Sequence, residues 1–210
     1  MLPTRFWIIK GTGIAEEHDI SAYDMALYEC GLADQNMMCV SSVPPPDMIE
    51  VVIENGFTYV PLPEGLSLDD VKAKLPFDPI AKTIDGSEYL QLSTSSIIHV
   101  VQARMPAQEG QTACASIGLQ WYWADKEKNR QSVYAVEDHG LHNEETCIRN
   151  CKEMLAEMLR LRGREAVLED DGEPKQKIVI TSITPPDNHV GVALVMVVMD
   201  PFTMHSMSFL

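Results

Sequence analysis

The stretch Asn36-Met37-Met38-Cys39-Val40-Ser41-Ser42-Val43-Pro44-Pro45-Pro46 sets the reading of this chain. Met37 to Val40 is a short apolar run that predicts a strand. Three consecutive prolines end it, because they donate no ladder hydrogen bonds and bar the preceding residue from helix. Upstream, Phe6 to Ile9 predicts another strand, with Gly11-Thr12-Gly13 expected to break it in a turn. That glycine pair lacks the rest of a dinucleotide-binding fingerprint. A helix is predicted from about Ser21, with Asp19 or Ser21 as its cap. Ala22, Met25, Ala26 and Cys30 fall at helical spacing, and Gly31 suits a left-handed C-terminal stop.

Downstream, the stretch from Leu62 to Gly86 is rich in Pro, Gly and Asp and predicts a long surface excursion, interrupted by a short amphipathic helix near Leu68 to Leu75. Strand patterning returns at Ser96 to Ala103, Ala113 to Trp123 and Ser132 to Val136, with a charged turn at Asp125 to Arg130. From Glu144 to Arg162, Cys147, Ile148, Cys151, Met154, Leu155, Met158 and Leu159 line one face of a long helix, capped by Asn143 and closed by Gly163. Strands are expected again at Lys177 to Thr181 and at the apolar run Val190 to Met199. Strands outnumber helices, and the two strong helices are expected on sheet faces. The predicted fold is therefore α+β, a sandwich in one domain spanning residues 1–210.

With 210 residues and 45% apolar content, the chain can bury a core of ordinary size. A formal net charge of -15 argues against nucleic acid as a partner, because phosphate recognition needs Lys and Arg in excess. The run Val190 to Met199 is too short to span a bilayer, and Phe6 to Ile9 is too short for a signal core. Five cysteines, an odd number, fit free thiols in a reducing cytoplasm.

Several of these residues occur together in one known pattern. Gly11-Thr12-Gly13, Ser21 to Leu27, Cys30-Gly31-Leu32 and Asn36 to Pro45 follow one another in an order and spacing that resemble the pyruvoyl-dependent arginine decarboxylase family. A fainter likeness resumes near Met105 and runs through Glu137 and the long helix to Gly163, whereas residues 62–92 look like an insertion without a clear counterpart. The resemblance implies an αββα sandwich and self-cleavage between Ser41 and Ser42. Ser42 Oγ attacks the Ser41 carbonyl, the amide becomes an ester, and elimination followed by loss of ammonia leaves a covalently bound pyruvoyl group at position 42. Serine is a poor nucleophile at neutral pH, so strain and an oxyanion donor are expected there. The conjugated carbonyl of the pyruvoyl group takes up the electrons released with CO2.

By the same resemblance, the amide of Asn36 polarises the Ser41 carbonyl, and Glu137, within Val136-Glu137-Asp138-His139-Gly140, donates the proton that completes the reaction. Asp24 is the carboxylate for the substrate guanidinium, and Leu27 and Val43 wall its methylene chain. The expected products are agmatine and CO2. Two chains, residues 1–41 and 42–210, would stay associated as trimers or as paired trimers, with sites between subunits. Two rivals stand beside this reading. One is a decarboxylase of histidine, lysine or ornithine; the other is an uncleaved paralogue that serves as a scaffold.

Other features have plainer readings. Asp138, His139, His142, Glu144 and Glu145 match no zinc spacing, so a polar helix entry is expected there and no metal. His99 reads as a core or interface residue, and Cys147 and Cys151, four apart, read as core packing.

Overall fold

The computed structural model describes residues 3–74 and 78–200. β1 (Arg5–Ala15) leads to α1 (Asp19–Glu29) and then to β2 (Asn36–Cys39). The short strands β3 (Asp47–Met48) and β4 (Val52–Glu54) precede β5 (Phe57–Pro61), α2 (Leu68–Lys74), β6 (Ala81–Ile84) and β7 (Ser87–Gln91). The longer β8 (Ile97–Ala107), β9 (Ala113–Trp123) and β10 (Gln131–Gly140) come before α3 (Glu144–Leu161), β11 (Gln176–Ile183) and β12 (Val190–Met199). The chain is thus a mixed α/β protein with several sheets and few helices.

The largest sheet has five strands in the order β2-β8-β12-β1-β3. β12 lies at its centre, antiparallel to β1 through pairs such as Trp7↔Val198 and to β8 through pairs such as Val101↔Val197. The unbroken apolar run of β12 follows from this position, because both of its faces are covered. Val192, Leu194, Met196 and Val198 pack with Ala22, Ala26, Leu27 and Cys30 around α1. Ala193, Val195 and Val197 point the other way, against Ala115, Ile117, Leu119 and Trp121 of β9. Each such Val or Leu contributes about 1.5–3 kcal/mol of transfer free energy.

The second sheet, β10-β9-β11, presents its inner face to that core and its outer face to α3. There Tyr122, Tyr134 and Val136 meet Cys151 and Leu155. Asn143 caps α3 as expected, its Oδ1 accepting from the Thr146 N–H at 3.0 Å.

Three expectations need correction. Gly11-Thr12-Gly13 is no turn, because β1 runs straight through it. A Cβ on Gly13 would stand 1.8 Å from the Ala22 carbonyl oxygen, and one on Gly11 would stand 2.7 Å from the Ala26 oxygen. The glycines let α1 lie directly on the strand. The cap of α1 is neither Asp19 nor Ser21 but His18, whose side chain makes no capping bond.

The third correction concerns residues 62–86. α2 lies where a short helix was expected (Leu75 falls outside the described residues) and residues 62–67 before it are loop, but residues 81–84 form the strand β6. β6 joins the strands on either side of the segment in an antiparallel sheet, β4-β5-β7-β6. Its two hairpins turn at Asn55-Gly56 and Asp85-Gly86, all four residues having positive φ. Val60 and Leu92 anchor this sheet in the core around α1, and the Thr58 hydroxyl donates to the Cys30 and Gly31 carbonyls at 3.2 Å.

Candidate active site

β2 is the edge strand of the five-stranded sheet, parallel to β8 with Asn36 opposite Ile97 and Cys39 opposite Val100. Its last ladder bond runs from the Val40 N–H to the Val100 carbonyl, at 3.0 Å. The chain then crosses between sheets. The Ser42 carbonyl accepts from the Ala135 N–H of β10, also at 3.0 Å, on the edge of β10 that β9 leaves open. Between these anchors the Ser41 carbonyl accepts from the Val43 N–H at 2.9 Å. This is a three-residue turn centred on Ser42. Beyond it Pro44 is buried, and the Trp121 indole N–H holds the Pro46 carbonyl at 3.0 Å. The carbonyls on both sides of the Ser41–Ser42 junction are therefore fixed by backbone donors. Ser42 is absent from the residues with positive φ, so its turn is the relaxed inverse form. The expected backbone strain is not a left-handed residue at this position.

Glu137 lies two residues beyond Ala135 on the same strand. Two strand rises place it roughly 7 Å along β10 from the anchor of Ser42. It belongs to the row of Val133 and Ala135, which faces the inner core, but it lies past the covered part and is exposed. It is a strand residue opposite Ile117. Ser42 and Glu137 thus come together within one chain.

The other expected site residues do not join them. Asn36 starts β2, about five strand rises (~16 Å) before Ser41, and its Nδ2 donates to the Ser95 carbonyl at 2.9 Å. The donor on the Ser41 carbonyl is the Val43 amide instead. Asp24 and Leu27 lie on α1, which covers the far face of the five-stranded sheet. Asp24 is exposed, whereas Leu27 is 4% exposed and packs in the core. Val43 is 41% exposed at the crossing.

Beside Asp24, Tyr23 reaches back to β2 and β8. Its hydroxyl accepts from Gln102 Nε2 at 3.1 Å and lies 4.0 Å from Met37 Sδ, with the Arg104 guanidinium 4.6 Å from the ring centre. Burial pushes the Tyr23 phenol up, and the Gln102 hydrogen bond opposes this. Burial likewise raises Cys30, to about 12, with Glu29 adding to the effect. Cys39, two residues before Ser41, is exposed. His99 is half-buried on β8.

The backbone donors of Val43 and Ala135 have no side-chain signature, and sequence reasoning missed both. A pairing pattern that placed β10 beside residue 42 is the only signal that finds them.

Together these features define a mixed α/β protein whose candidate site lies where an edge strand of one sheet crosses to the open edge of the next. The chain belongs to the pyruvoyl-dependent arginine decarboxylase (PvlArgDC) family, whose model matches residues 5–77 and 75–203. The two matched stretches break and overlap at residues 75–77, within the segment 62–92. No curated protein matches the chain. Among the described residues, no helix is long and apolar enough to cross a membrane.

Proposed function

We propose that the chain opens its own Ser41–Ser42 peptide and then decarboxylates L-arginine to agmatine and CO2. The observation that carries this is the pinned junction. The Ser41 carbonyl holds the Val43 N–H, the Ser42 carbonyl holds the Ala135 N–H, and Glu137 lies two residues further along the same strand.

These residues fit the family's group. In the precursor the Val43 N–H polarises the carbonyl that Ser42 Oγ must attack and stabilises the developing oxyanion. The Ala135 N–H keeps residue 42 on the edge of β10 once the peptide bond is gone. A pyruvoyl group at position 42 would supply the electron sink for loss of CO2. Glu137 holds the proton that the product carbon receives. The role of Asn36 rests on resemblance alone.

Arginine specificity rests on Asp24, a carboxylate suited to a two-pronged guanidinium contact. In one chain the exposed Asp24 lies across the sheet from Ser42, so the proposal places it in a site shared between neighbouring subunits, whereas Leu27 is packed in the core. Exposed apolar residues support such an assembly. Ile20, Met25 and Tyr28 on α1, and Met38, Val43 and Ile97 around β2, are each 41% to 59% exposed. The αββα sandwich, the trimer or paired trimers and a cytoplasmic setting are parts of the same proposal, and the layered packing of α1, the two sheets and α3 supports the first.

Intact mass of the purified protein tests the processing step. Fragments of 1–41 and 42–210 are expected from the native chain, and one uncleaved chain from Ser42→Ala. A single native chain of 210 residues would favour the scaffold reading. Release of CO2 from L-arginine in competition with ornithine, lysine and histidine then tests the substrate. Glu137→Gln is expected to cleave normally and to lose at least about a hundredfold in kcat.

A further inference from the structure

On the face of β10 opposite Glu137, a second group of side chains converges where the sheet meets the start of α3. We propose that Asp138, His142 and Cys147 bind a divalent cation of the zinc class. Their ligand atoms all lie within 4.8 Å of one another. His142 Nε2 is 3.1 Å from Asp138 Oδ2 and 3.1 Å from Cys147 Sγ. Donors around a tetrahedral zinc stand roughly 3.3–3.6 Å apart, given bond lengths of about 2.0 Å to N or O and 2.3 Å to S. The two pairs at 3.1 Å need to open only slightly to reach that spacing.

One nitrogen facing both an oxygen and a sulfur is an imperfect hydrogen-bonding arrangement. Nε2 carries either one proton or one lone pair, so it cannot serve the carboxylate and the thiol equally well. A cation resolves the conflict, since the imidazole lone pair, the carboxylate and a thiolate then share one centre. The donor set, one each of N, O and S, is the borderline-soft mixture that zinc accepts.

The surroundings are built for this. Asn150 Nδ2 donates to both Asp138 oxygens, at 3.2 and 3.3 Å, and so fixes the carboxylate from behind. The His142 ring lies directly on Gly140, where a Cβ would come within 2.5 Å of its Nδ1. Cys114 is buried opposite Gly140 on β9, and the three converging donors leave a fourth position for water. Cys147 is fully buried, while Asp138 and His142 side chains are 17% and 28% exposed and leave an entry path. The sequence reading set this cluster aside because its spacing matches no zinc pattern. The fold adds what spacing lacked, by placing the first turn of α3 over the end of β10 and bringing in Cys147.

The site does not depend on the decarboxylase reading, and its test is binding. The full-length protein, stripped with a chelator, is titrated with Co2+ and then Zn2+. One equivalent per chain is expected, with a thiolate-to-cobalt charge-transfer band and tetrahedral d–d absorption that Zn2+ displaces. Cys147→Ser and His142→Ala should each lose at least a hundredfold in affinity, Asn150→Ala should lose about 10–100-fold, and Cys39→Ser, on β2 of the other sheet and outside the cluster, should bind like the native chain. Zn2+ alone should also raise the melting temperature of the native protein reversibly, a readout that needs no variant. No stoichiometric binding, or binding unchanged in Cys147→Ser and His142→Ala, would overturn the proposal.

Discussion

α3 and α1 each cover a sheet, yet they are held there by different means. α3 runs for 18 residues, is capped by Asn143, and turns Cys147, Cys151 and Leu155 inward. Its position can be read from its own residues. α1 has 11 residues, lacks a capping bond and leaves Ile20, Met25 and Tyr28 exposed. What seats it is the strand beneath, where Gly11 and Gly13 remove the side chains that would hold the helix off. One helix carries its docking instructions, and the other takes them from its partner.

The comparison can be broken most sharply at Gly13. Gly13→Ala puts a methyl group into the backbone of α1, which cannot give way as a flexible side chain does. We expect a loss upward of about 4 kcal/mol in chemical denaturation, with α1 lifted from its strand. A loss below about 1 kcal/mol would show that the close approach is not what seats α1. On the other helix Leu155→Ala should cost about 3 kcal/mol, the usual result of emptying a fully buried position. Asn143→Ala, removing the α3 cap, should cost about 1 kcal/mol in the same experiment. Smallest and opposite in sign, His18→Ser should stabilise α1 by about 0.5 kcal/mol by supplying the missing cap. The exposed His18–Glu17 pair lost in that variant contributes little. A destabilised His18→Ser would mean that the start of α1 is fixed by tertiary contacts rather than by capping.

The same contrast explains what the sequence disclosed. α3, β9 and β12 were legible nearly to the residue, because each carries a continuous pattern of its own. β1 was cut short because glycines read as breakers, whereas here they mark a helix passing close by. The sheet containing β5, β6 and β7 was lost behind its prolines, although Asn55-Gly56 and Asp85-Gly86 are strong hairpin signals that were present all along. At the candidate site, Ser42 and Glu137 could be picked out through family resemblance, and the structure places them near each other. The amides of Val43 and Ala135 could not, since a backbone donor looks the same in every residue. Asp138, His142 and Cys147 escaped for a related reason: their proximity is created where a strand meets a helix.

The place of β1 in the five-stranded sheet has a consequence for how the protein would hold together if it is processed as proposed. β1 pairs with β12 through ten residues, from Phe6↔Met199 to Ala15↔Val190, and with β3 on its other side. Opening the chain between Ser41 and Ser42 assigns β1, α1 and β2 to one piece and both partners of β1 to the other. The strand pairing could persist, but its molecularity would change. Unfolding would then be a dissociation and refolding an encounter of two polypeptides, so the melting temperature of the processed protein should rise with protein concentration.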